Sequence, residues 1–141
     1  MPAGSQNNKI LNHGEHRDHR ENLVTQTVIG AAIDVHRELG PGLLETAYRS
    51  CLVHELTLRG VKTESERGLP IRYRGVELDV GYRVDIVIED LVLVEIKAIE
   101  RLLPIHEAQL LTYLKLSGKH VGLLINFNVK LLTSGIRRLA L

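Results

Sequence analysis

The chain has 141 residues, 44% hydrophobic and 25% charged, with a formal net charge of +1. That is enough for one domain with a core of its own and is the composition of a soluble globular protein. No apolar run reaches the length of a membrane span and no signal-type segment opens the chain, so a cytoplasmic home and no membrane partner are expected. A single cysteine, Cys51, excludes an internal disulfide and a Cys-based zinc site. With a charge so near neutrality, any nucleic acid must be met by clustered rather than abundant basic residues.

Residues 1–20 are polar with almost no apolar period and read as a mobile tail ahead of one domain over 21–141. His13, His16 and His19 recur within it at every third position, and a solvated tail is favoured over a metal-binding one. From Glu21 to Leu39, a helical stripe is approximated by Leu23, Val28, Ile29, Ala32, Ile33, Val35 and Leu39. Gly40-Pro41-Gly42 ends it, glycine supplying the cap and proline refusing to continue. His36, one turn earlier, is expected as a hydrogen-bonded structural histidine, with approach to a metal site as the second reading. A second helix is expected from Leu43 to about Arg59, with Leu44, Tyr48, Cys51, Leu52, Glu55 and Leu56 on one side. Glu45 falls in its first turn, where the helix dipole favours an anion. The residue pattern leaves it either as a dipole-stabilising glutamate or as an inward-pointing ligand.

Val61 to Tyr73 reads as extended runs broken at Gly68-Leu69-Pro70, and Arg74-Gly75 turns the chain into Val76 to Val80. Arg67, Arg72, Arg74 and Arg83 gather here, either to meet phosphates or to guard an edge hairpin against aggregation.

The most informative stretch is Tyr82 to Ala98. Two β-branched runs flank Glu89-Asp90, the pattern of a hairpin at a sheet centre. Asp85 interrupts the first run; Glu95 and Lys97 interrupt the second. Alternation sends Leu93, Glu95 and Lys97 to one face and Val92, Val94 and Ile96 to the other. A strand this apolar is normally covered on both sides, and burying such charges is costly unless something compensates. Two readings follow: a structural Glu95–Lys97 pair, or acids that hold a hard divalent cation with the lysine near an attacking water or phosphate. The second sets a geometric condition. A two-residue turn at Glu89-Asp90 would put Asp85 and Glu95 on opposite faces, whereas a three-residue connection or a bulge pairs them. The odd-length connection or bulge is therefore expected.

A helix should span Pro104 to Leu116, stopped at Gly118, with Ile105, Ala108, Leu111, Leu114 and Leu116 packed on the sheet. Gln109 and Tyr113 share one of its faces, which in isolation is a polar rim with a half-buried tyrosine. His120 to Asn126 reads as a buried strand, and Leu131 to Leu141 as a short helical turn and a final edge strand carrying Arg137 and Arg138. The order of elements predicts an α/β domain with a mixed central β-sheet of four or five strands flanked by helices.

Asp85, then nine residues, then Glu95-Ile96-Lys97 resembles the core of the PD-(D/E)xK nuclease superfamily, with Val84 where that pattern has proline. Gly42-Leu-Leu-Glu45-Thr-Ala-Tyr48 resembles the GxxExxY signature of a bacterial and archaeal family placed in that superfamily. The resemblance extends over Ala31 to Gly42, Tyr82 to Ala98, Leu102 to Tyr113 and Leu123 to Arg138. Gln109 and Tyr113 are similar to a downstream motif of its recombination-exonuclease branch. The resemblance implies a restriction-endonuclease-like core and a metal-dependent nuclease hydrolysing phosphodiester bonds of DNA. Glu45, Asp85 and Glu95 would hold Mg²⁺ or Mn²⁺, Lys97 would orient or deprotonate water and offset charge on the phosphate, and Gln109 and Tyr113 would position substrate. Without metal the acids should repel and raise at least one carboxylate pKa. The alternative is a nuclease-fold module that binds nucleic acid or protein without turnover; a third is a purely structural network. With no appended DNA-reading domain, a homodimer or a partner would supply substrate grip.

Overall fold

The computed structural model describes residues 13–141. In chain order these form α1 (His13–Leu39), α2 (Glu45–Leu58), β1 (Thr63–Gly68), β2 (Ile71–Tyr73), β3 (Val76–Leu78), β4 (Arg83–Ile88) and β5 (Val92–Lys97). Then come α3 (Pro104–Ser117), β6 (Val121–Asn126), a 3-10 turn (Leu132–Gly135) and β7 (Ile136–Ala140). Five strands make a mixed sheet in the order β1-β4-β5-β6-β7. Its parallel pair, β5 and β6, is joined by α3 as the crossover such a pair needs.

Both faces of the sheet are covered, which explains the nearly continuous apolar strands. On one face α1 (Val28, Ala31, Ala32, Val35) and α2 (Tyr48, Leu52, Leu56) pack on Ile86, Ile88, Val94, Ile96, Leu123 and Ile125. On the other, Leu110, Tyr113 and Leu114 of α3 pack on Val84, Val87, Leu93 and Leu124. Gly122 lets α3 approach, since a Cβ there would lie 3.0 Å from the Leu110 side chain. No helix of the described residues is long and apolar enough to cross a membrane.

Three expectations need correction. The stretch read as a tail through residue 20 is helical from His13 onward, and residues 1–12 lie outside the described residues. The helix extends because adding polar turns to an existing helix costs little, and Arg17 Nε lies 3.9 Å from the buried Glu21; apolar periodicity cannot register an all-polar turn. His16 and His19 are exposed on these turns, and the side chain of His13 lies outside the described residues. Leu23 and Leu44, placed on buried stripes, are 51% and 78% exposed, Leu44 preceding the first residue of α2. On α3, Ile105 is 65% exposed, the buried phase being Leu110, Tyr113 and Leu114; a helix with apolar residues on several sides cannot be phased from its own sequence. Outside the central sheet, β2 and β3 form a separate two-stranded sheet. Pro70, which has no N–H to donate, stands where β1 would have to continue.

His36 proves structural: its Nε2 is 2.7 Å from the Val129 carbonyl. Gly40, in left-handed conformation (φ +68°), caps α1 through its N–H to the His36 carbonyl at 2.8 Å.

Candidate active site

The β4–β5 connection is three residues long, with Ile88 opposite Val92, Val87 opposite Leu93 and Ile86 opposite Val94. Glu89 and Asp90 both take left-handed backbone (φ 53° and 52°), and Leu91 N–H donates to the Ile88 carbonyl at 2.9 Å. The odd count that a shared cation requires is therefore present, and Asp85 falls opposite Glu95.

At this position the backbone ladder gives way to side chains. The Asp85 N–H donates to Glu95 Oε1 at 2.9 Å, and the Ile96 N–H donates to Asp85 Oδ2 at 2.7 Å. Each acid thus crosses to the opposing strand and takes the place of a carbonyl acceptor. Meanwhile β1 holds the outer edge of β4 past the same point, pairing Arg67 with Val84 and Gly68 with Arg83. The acids are fixed by the sheet itself rather than by flexible surface rotamers.

Glu95 is only 6% exposed. Burial, then the Asp85 carboxylate and more weakly Glu45, push its pKa up to about 8, against the opposing pull of the Asp85 N–H and Lys97. Crowded acids answered by too little positive charge are the chemistry that a hard, oxygen-seeking cation relieves. One oxygen of each carboxylate is held by a strand amide, which orients the other. Oxygen donors of this kind suit a hard divalent cation.

Lys97 begins a polar chain toward α3. Its Nζ lies 3.5 Å from Gln109 Oε1, and Gln109 Nε2 donates to the Tyr113 hydroxyl at 3.1 Å. The i, i+4 spacing of the latter two gives them one helical face. Burial and the nearby Glu95 charge raise the Tyr113 pKa.

Glu45 owes its place to a knot in the preceding loop. The Tyr48 hydroxyl donates to the Gly40 carbonyl at 2.5 Å and accepts from the Leu43 N–H at 3.1 Å, while its ring stacks on Phe127 with centroids 4.6 Å apart. Gly42 supplies the reversal at φ +104°, a value that disfavours any side chain. Gly42, Glu45 and Tyr48 are thereby explained together: the reversal, the helix start and its anchor. Tyr48→Phe should cost about 1 kcal/mol, because the Gly40 carbonyl and the Leu43 N–H, both reached by solvent, lose their shared hydroxyl; a urea midpoint equal to wild type would dismiss this account.

The structure brings Asp85 and Glu95 together, and Lys97 with Gln109 and Tyr113. It leaves Glu45 exposed, its charge felt by Glu95 but its carboxylate not closed onto the pair. Among the described residues no three acidic, histidine or cysteine side chains form a ready metal cage, so the three-acid ligand set is not closed in this conformation. The group that meets Asp85 from α2 is instead Arg49, with Nη1 3.7 Å from Asp85 Oδ1 and Nη2 3.1 Å from Glu66 Oε1.

Sequence reasoning missed Arg49, although it follows Glu45 by four residues and so shares its face. It also missed Asn126, buried on the neighbouring strand as the partner of Lys97. Asn126 Oδ1 accepts from the Ile99 and Asn128 N–H groups at 3.1 and 3.2 Å, and its Nδ2 donates to the Ile99 carbonyl at 2.9 Å. Next to it, the Phe127 N–H donates to the Lys97 carbonyl at 2.9 Å. Gly135 packs against this strap so closely that a Cβ would sit 2.3 Å from the Asn126 carbonyl oxygen. Gly135→Ala is expected to destabilise the fold by about 1–3 kcal/mol, a loss that chemical denaturation would read directly. Of the arginines near the edge, Arg67 is engaged with Glu64 and Asp90 at 2.6 and 2.9 Å, which favours the edge-guarding reading for it.

A mixed sheet whose central antiparallel hairpin carries crossed acids, with a lysine two residues beyond the second, is the arrangement of the restriction-endonuclease-like class. The chain belongs to the PD-(D/E)XK nuclease superfamily, whose family model matches residues 22–139. No curated protein and no solved structure matches the chain.

Proposed function

We propose that this domain is a metal-dependent nuclease that hydrolyses phosphodiester bonds, with DNA as its substrate. The observation that carries the reading is the crossed pair: two carboxylates locked into the gap between neighbouring strands, one of them with a pKa near 8. Superfamily membership and the Gly42–Tyr48 signature point the same way.

Asp85 and Glu95 would hold the cation, with Glu45 joining from the start of α2 by a change of rotamer open to an exposed side chain. When bound, a divalent ion supplies Lewis acidity to the phosphate and lowers the pKa of water. The rest falls to the chain itself. Lys97, tethered by Gln109, orients the attacking water and offsets charge that develops on the pentavalent phosphate. Gln109 and Tyr113 position substrate. Arg49 tempers the charge of Asp85 and competes with the cation for it. Arg49→Gln should accordingly tighten Mg²⁺ binding roughly two- to fivefold, the worth of a partly exposed ion pair, as measured by calorimetry.

The test is incubation with linear, circular, single-stranded and branched DNA in Mg²⁺ or Mn²⁺. Cutting that needs the ion and disappears in Glu95→Gln supports the enzyme. DNA binding without cutting, unchanged by Glu95→Gln, would instead support the binding module, a reading favoured by the exposed position of Glu45.

A further inference from the structure

The chain Lys97, Gln109, Tyr113 leads out of the acid pair into a cleft of about 380 Å³. Its walls include Ile71, Tyr82, Ile105, Gln109, Thr112 and Tyr113, and none of its lining side chains is charged. The rings of Tyr82 and Tyr113 stand 6.1 Å apart at an angle of 49°, a wedge rather than a stack. Tyr82 is 44% exposed and Ile105 65%, so the cleft offers aromatic and aliphatic surface to solvent within a few side chains of the acids.

We infer that this cleft receives a nucleobase, so that the nucleotide beside the scissile phosphate is unpaired when the bond is cut. The inference rests on the nuclease reading and narrows it to a substrate class. An uncharged cleft offers no cation to hold a phosphate, yet it suits a neutral flat ring that stacks on aromatic side chains irrespective of sequence. Gln109 and Thr112 give the ring edge polar contacts. Continuity with Lys97 places the base next to the point of attack. A base held in a duplex cannot enter the wedge, because both of its faces are already stacked and its edge is paired.

The test uses the full chain carrying Glu95→Gln, which should bind without cutting, and three probes of equal length. They are oligothymidylate, an oligomer of abasic deoxyribose phosphates, and a thymine–adenine duplex. Oligothymidylate should bind tighter than either of the others by roughly 10-fold or more, the worth of stacked bases. Tyr82→Ala, at a partly exposed site, should remove most of that advantage, and Ile105→Ala part of it. Tyr82→Phe should retain it, because the ring face remains. Equal binding of the three probes, untouched by Tyr82→Ala while the protein with Glu95 intact still cuts DNA, overturns the base cleft and leaves the nuclease standing. No binding of any probe together with no cutting overturns both, and leaves the cleft to an apolar side chain of a protein partner.

Discussion

Lys97→Ala should abolish nearly all cutting while sparing the metal site. A positioned proton-transfer or charge-offsetting group contributes about 10²- to 10⁴-fold to rate, and Lys97 is the amine that the structure ties to Gln109 on the acids' side of α3. The same variant should still take up Mg²⁺ with measurable heat, because the cation's proposed ligands are untouched. Asp85→Asn, by contrast, should lose the heat and the cutting together. A further consequence follows from charge. Lys97 lowers the Glu95 pKa, so removing it should push that pKa higher still and move the onset of metal binding to higher pH. Wild-type cutting rates in Lys97→Ala, or loss of the metal heat, would contradict the division of labour proposed for the two groups.

Metal-free protein should become less stable as pH rises from about 4.5 to about 8, the ordinary and folded-state pKa values of Glu95. Over that window the folded chain holds a proton that the unfolded chain has released, so stability is greatest below the lower value and declines toward the upper one. Each pH unit is worth up to about 1.4 kcal/mol, and the loss from pH 6 to pH 8 should be on the order of 2 kcal/mol. The direction is opposite to that of a salt-bridged carboxylate, whose contribution vanishes in acid. Mg²⁺ or Mn²⁺ should reverse the trend, since the cation takes over from the proton. Glu95→Gln should flatten it even without metal, the amide having no charge to shed. Urea midpoints at pH 6 and 8, with and without Mg²⁺, decide the matter. A metal-free profile that rises with pH would refute the electrostatic account of the site.

Much of this site was legible because strand chemistry is local. The alternation of Leu93, Glu95 and Lys97, and the demand that Asp85 share their face, call for an odd-length connection or a bulge, and the odd-length connection is what forms. What the sequence concealed depends on distance across the fold. Arg49 has an obvious helical relation to Glu45, but only the height at which α2 crosses β4 tells whether it reaches Asp85 or solvent. The depth of Asn126 is similarly invisible, since it closes a strand that could as well have ended in water. Ile105 looked like core because apolar residues surround it in sequence. Its exposure became intelligible once Leu110, Tyr113 and Leu114 fixed the phase of α3, and it then marked a wall of the cleft.

The crossed hydrogen bonds at Asp85 and Glu95 also separate shape from charge. Each bond needs an acceptor oxygen of the right reach and not a negative one, so Asp85→Asn combined with Glu95→Gln should close the hairpin with the same two contacts. Such a chain would be chemically silent while its surface stayed whole. A scaffold of this kind can shed catalysis in two conservative steps and remain available as a docking domain, a route closed to sites whose reactive groups sit on unsupported loops.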